Sequence, residues 1–212
     1  MLQFIFGEVK TFLKNKLFFS IFVYFFILIF LSLGVWQVIR LNWKLELISD
    51  IKKSIQSDPV IFDGRDPSNF KKIKFNPDVI NSKLIYLYSL NETGEPGFDV
   101  INTIKIEDEN FLINRGWIPR NLKGNDFQIQ NKVYFGILKK KSNQNYFKPD
   151  NDLSKNYWFT LNDEDLFKFS GLKFSNFIIY EIGNHSQFPK VKKIDANISN
   201  NHLKYSLTWF SL

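Results

Sequence analysis

The sequence predicts an α+β membrane protein: an N-terminal transmembrane helix, an antiparallel β-rich extracytoplasmic domain, and the truncated start of a second C-terminal transmembrane helix. Three observations carry this reading. No charged side chain occurs in the 23 residues from Leu17 to Ile39. The middle of the chain breaks into short runs rich in β-branched and aromatic residues, separated by turn formers. The last residues return to an aromatic, helix-forming pattern.

The bulk numbers suit that plan. The chain has 212 residues, 44% of them hydrophobic and 24 of them Phe, enough for one domain plus membrane segments. Its formal charge of +7 fits lysines facing anionic lipid better than a nucleic-acid partner, and no nucleic acid is expected. Cysteine is absent and the sole Met is the first residue. Disulfides, zinc ribbons, CxxC redox chemistry and covalent c-type haem attachment are thereby excluded. So is a copper carrier built on soft sulfur ligands. Only His185 and His202 remain as imidazoles.

Residues 1–16 read as a cytoplasmic leader and 17–39 as the membrane span. At ~1.5 Å per residue the span covers roughly 34 Å, a little more than the ~30 Å hydrocarbon core. A cleaved signal peptide is the competing reading, since Ser32–Gly34 ends in small residues. Its apolar region would, however, be only ~7–15 residues long. Lys10, Lys14 and Lys16 precede the span while Arg40 and Lys44 follow it, so charge orients it weakly. The short leader and large following domain put the N-terminus in the cytoplasm and residues 40–199 outside. With no Arg- and Ser-rich presequence, a bacterial inner membrane with a periplasmic main domain fits better than a mitochondrion.

Beyond Lys44 the apolar helical spacing continues through Leu41, Leu45, Ile48, Ile51 and Ile55, until Asp58-Pro59 ends it. Strands are expected at Lys83–Leu90, Phe98–Ile106, Asn110–Ile118, Lys132–Lys140 and Phe177–Ile182. "EDEN" between the second and third of these reads as a hairpin turn. "LNDEDLFKFSG" reads as a short helix, with Asn162 as N-cap, acids in the first turn and Gly171 as C-cap.

Three further stretches bear on function. "NRGWIP" (Asn114–Pro119) is a strand end with a buried Trp, or a docking corner through Arg115, Gly116, Trp117 and Pro119. "FKPDND…NYWF" (Phe147–Phe159) reads as a loop entering a strand, its carboxylates in a solvated turn or in a calcium loop with the wrong spacing. "KKK" (Lys139–Lys141) reads as a solvated strand end.

Residues 200–212 read as the start of the second membrane helix, capped by Asn200 or Asn201. His202, Tyr205 and Trp209 then fall at i, i+3 and i+7 on one face. An imidazole there suits a haem iron, with the aromatic rings flanking a porphyrin. The same residues also make an interfacial aromatic belt with one polar histidine. His185 reads as a loop residue. No nucleophile elbow, zinc-protease helix, P-loop or dinucleotide fingerprint is present, so no catalytic residue is assigned.

Taken in order, "GVWQVIRLNWK", "PGFDVINTIKI", "NRGWIP", "FKPDND", "YWF" and "NNHLKYSLTWF" resemble the surfeit locus protein 1 family, along the whole chain. The resemblance implies a non-enzymatic assembly factor for cytochrome c oxidase. Its domain would be held between two membrane helices, and it would assist haem a insertion or retention in oxidase subunit one. Its implied partners are that subunit, other oxidase assembly proteins and membrane lipid. Carried over by position, His202 becomes the axial haem ligand, the only route by which iron would be held. Trp36, Gln37 and Arg40 would line the site or meet the propionates. The alternative is a bitopic envelope interaction module, a scaffold without cofactor. The chain departs from the family at Asp99, where histidine is frequent. It departs again at its end, where the eight residues from Tyr205 to Leu212 are too few to cross a bilayer.

Overall fold

A computed structural model describes residues 2–79, 83–127, 129, 132–141, 148–183, 188–194 and 200–212. His185 and Phe147 lie outside the described residues. The chain divides into two compact units, Met1–Asp50 with Ala196–Leu212, and Ile51–Asp195.

The first unit is helical. Helix α1 runs from Leu2 to Gln56, and helix α3 spans His202–Ser211. Among the described residues α1 is the one helix long and apolar enough to cross a membrane. Side chains such as Phe18, Phe19, Tyr24 and Leu28 are mostly exposed on it. A water-soluble protein would bury so long an apolar run, whereas lipid solvates it.

The second unit is an eight-stranded sheet with one helix. Its strands are β1 (Val60–Ile61), β2 (Lys72–Phe75), β3 (Asp78–Val79), β4 (Ile85–Leu90), β5 (Pro96–Ile106), β6 (Glu109–Pro119), β7 (Tyr134–Lys140) and β8 (Phe177–Glu181). They lie in the order β1-β2-β7-β8-β6-β5, with β3 and β4 in tandem along the far edge of β5. The sheet is therefore mixed and not antiparallel, because β1·β2 and β6·β8 run parallel. The cause is topological. The meander β4-β5-β6 is followed by β7, which leaves a slot beside β6. Strand β8 fills that slot antiparallel to β7 and hence parallel to β6.

Both faces of the central strands are covered, so β5 is buried almost without alternation. One face packs Phe62, Ile73, Ile104, Phe111, Ile113 and Ile179. The other packs Ile101, Leu112, Ile178 and Trp158 against Leu166 of helix α2 (Asp163–Ser170). Asn162 caps α2 by accepting from the Asp165 N–H at 2.8 Å, and Gly171 ends it in the left-handed conformation. The β5–β6 hairpin turns at Glu107–Asp108, with Glu107 left-handed (φ 50°).

The edges of the sheet are short or covered. Strands β1 and β3 have two residues each. Strand β4 exchanges backbone hydrogen bonds with Trp158 at 2.7 and 3.1 Å. The loop after β6 is pinned by Lys123, whose Nζ lies 5.3–5.6 Å from the rings of Tyr86, Phe98 and Tyr157.

Candidate functional site

The two helices of the first unit pack antiparallel, because contacts rise along α3 as they fall along α1. His202 meets Gln37, Phe210 meets Gly34, and Trp209 stacks on Phe30 with ring centroids 5.9 Å apart. The α3 face turned to α1 is His202, Ser206 and Trp209, at i, i+4 and i+7, with Ser206 buried. Close approach needs a glycine. A Cβ on Gly34 would stand 2.5 Å from the Phe210 ring.

His202 Nδ1 donates to the Gln37 side-chain oxygen at 2.7 Å. An amide oxygen only accepts, so Nδ1 is the donor here, and in a neutral ring the lone pair then belongs to Nε2. Sequence reasoning placed Gln37 near a ligand; the structure gives it to the imidazole. The available signal was spacing, since Phe30, Gly34 and Gln37 share one helix face.

The remaining predicted residues form a flank. The Arg40 guanidinium is exposed and lies 4.7 Å over the Trp43 ring. Trp36 and Tyr205 are each about half exposed. At about 100° per residue, Trp36, Arg40 and Trp43 sit on one side of Gln37. With antiparallel helices Tyr205 falls on the same side of His202. The first unit thus presents an imidazole, an exposed guanidinium and three aromatic rings together.

The "NRGWIP" corner in the second unit turns inward. A bulge makes Arg115 the extra residue of β6, and its guanidinium pairs with the buried Glu181 carboxylate. Trp117 is buried and donates its indole N–H to the Ser89 carbonyl. Gly116 has φ 118°, and its backbone lies against Lys190, which pairs with Trp117 through N–H···O bonds of 2.8 and 2.9 Å. Pro119 closes the strand, partly exposed.

In the 148–160 loop the polar groups satisfy one another. Asn151 accepts from the Phe159 and Thr160 N–H groups, and Asp152 accepts from Ser154 and from the Lys155 N–H. The hydroxyl of Ser154, with the Lys155 bonds, holds the Asp152 carboxyl below the usual range. Among the described residues no group of three or more His, Cys, Asp or Glu side chains is arranged to hold a metal ion.

A buried polar cluster escaped sequence reasoning. Asp99 accepts from Asn114 at 2.9 Å and pairs with Lys192 at 2.8 Å. Burial first, and the Asp99 charge second, push the Tyr180 phenol up to about 12, against an opposing hydrogen bond with Asn114. The folded state thus keeps a proton that the unfolded chain loses near pH ~10. The stabilisation is complete below about pH 10 and disappears as pH rises toward about 12. Ultraviolet titration is expected to find one tyrosine ionising well after the exposed ones. In Tyr180→Phe that late step should be missing.

Comparison with known proteins supplies the family. The model of the SURF1 family matches residues 24–212. A SURF1-like protein of Rickettsia conorii is 31% identical over 206 residues, covering 92% of this chain and 85% of the relative. Surfeit locus protein 1 of Mus musculus is 26% identical over 211 residues, covering 85% of this chain and 67% of its own length. A SURF1-like protein of Dictyostelium discoideum is 26% identical, covering 94% and 93%. A match that takes in the apolar helix, the sheet and the His202 helix alike identifies the chain as a member of the SURF1 family.

Proposed function

We propose that this chain is a non-enzymatic, membrane-bound assembly factor for cytochrome c oxidase that holds haem a on His202 for oxidase subunit one. The observation that carries the reading is the 2.7 Å bond from His202 Nδ1 to Gln37. It fixes the ring's orientation through Nδ1, as the hydrogen-bond acceptor behind a metal-ligating imidazole does. A porphyrin supplies four of the iron's ligands itself, so one imidazole suffices without a cluster of protein ligands. Arg40 is suited to the propionates, because a guanidinium engages a carboxylate through two parallel N–H bonds. Trp36 and Tyr205 offer apolar walls, while Trp209, stacked on Phe30, keeps α3 against α1. The proposed site of action is a bacterial inner membrane, with the sheet unit on the periplasmic side and other oxidase assembly proteins and lipid as neighbours.

The protein co-expressed with haem a synthesis and purified in detergent is expected to carry a Soret band. His202→Ala should abolish it. Gln37→Leu should leave the helices packed but broaden the band and lower haem occupancy roughly tenfold, the magnitude for losing the partner that orients a ligand. A wild-type protein without haem, or an unchanged spectrum in His202→Ala, overturns the reading. Crosslinking to envelope proteins other than oxidase subunits would then favour the cofactor-free scaffold.

A further inference from the structure

The lysine run at the end of β7 does not simply fade into solvent. Lys139, Lys140 and Lys141 line a cavity of about 120 Å³ together with Lys148. That is ample room for a tetrahedral oxyanion with some of its water. Leu87, Phe159, Leu161 and Ile178 supply apolar walls, and Thr160 and Tyr180 contribute hydroxyl-bearing side chains.

The charge of this cavity is unbalanced. Lys141 has a side chain only 9% exposed, and its ammonium pairs with Asp163, itself 70% exposed. Lys139 places its Nζ 5.7 Å from the Tyr180 ring. Asp163 is the one carboxylate paired with any of the four lysines among the described residues. Lys139 and Lys141, two residues apart and so on one face, gather positive charge with Lys148 beside apolar walls, whose low dielectric strengthens their field. A compact dianion balances that charge.

We propose that this cavity is a phosphate-binding site, taking either free inorganic phosphate or the phosphate of an anionic phospholipid headgroup. The site lies wholly within the Ile51–Asp195 unit and does not depend on the haem reading.

The test uses the full chain in nanodiscs. In phosphatidylcholine nanodiscs, inorganic phosphate is titrated against chloride at matched ionic strength and thermal unfolding is followed. In a second arm, phosphatidylglycerol replaces part of the lipid. Stabilisation by inorganic phosphate identifies a soluble anion, and stabilisation only with phosphatidylglycerol identifies a lipid headgroup. In either case the joint variant Lys139→Met, Lys148→Met should weaken binding roughly tenfold, the scale of two partly exposed charge contacts. Exposed lysines elsewhere, Lys52→Met with Lys193→Met, should leave it unchanged. If the first pair lowers the melting temperature in chloride alone, Lys139→Arg with Lys148→Arg keeps the charge and should restore binding. No stabilisation in either arm overturns the site. So does equal stabilisation by chloride, or equal loss in the Lys52/Lys193 control.

Discussion

Gly116→Ala is expected to destabilise the sheet unit by about 3 kcal/mol and to unfasten the 188–194 segment from β6. Two costs combine. The residue has φ 118°, where L side chains are strained. Its new Cβ would stand 2.2 Å from the Lys190 carbonyl oxygen and 2.4 Å from the carbonyl carbon, both backbone atoms that cannot swing aside. Thermal unfolding should fall by roughly 10 °C for a domain of this size. Amide exchange at Trp117 and Lys190 should accelerate more than elsewhere, since those two exchange paired hydrogen bonds. Gly124→Ala separates the causes. Gly124 has φ 94° but no atom within 4 Å of where a methyl group would stand, so it carries the conformational strain alone. Its expected cost is about 1 kcal/mol. Equal losses at the two positions would rule out the collision.

Trp158→Ala is expected to cost about 3–5 kcal/mol, the range for deleting a large aromatic from a packed core. Trp158 is fully buried beside Ile85, Ile101, Leu112 and Leu166, and lies edge-on to Phe169 at 5.3 Å. Its indole N–H donates to Asn156 at 2.8 Å, so truncation leaves that acceptor short of a donor as well as opening a cavity. Helix α2 should lose protection first, because Leu166 and Phe169 pack into the same cluster. Trp158→Phe keeps most of the volume and should cost about 1–2 kcal/mol, chiefly the lost hydrogen bond. Denaturant unfolding of the pair reads the difference. Near-equal midpoints would show that packing at this position matters little.

The elements that local chemistry dictates were the legible ones. The uncharged run from Leu17, the Asn162 cap with its Gly171 stop, and the Glu107–Asp108 turn each follow from residues close in sequence. Pairing between distant strands does not. Nothing within Phe177–Glu181 announces that it enters a slot between β7 and β6, so the sheet read as antiparallel when it is mixed. The His202 face was drawn through Tyr205, whereas Ser206 is the residue buried on it. A small polar residue carries no apolar signal, so its burial could not be read from the sequence. Asp99 and Lys192 were invisible as a pair, far apart in sequence and joined only by the fold.

The guarded edges of the sheet govern how other chains can engage it. With β1 and β3 limited to two residues each, and β4 already hydrogen-bonded by Trp158, the described residues offer scarcely a run of open amides on which a foreign strand could zip. Among the described strands, recognition by β-augmentation is thereby disfavoured relative to recognition through side chains. The same feature leaves the folded sheet little edge on which to template fibrils with its neighbours.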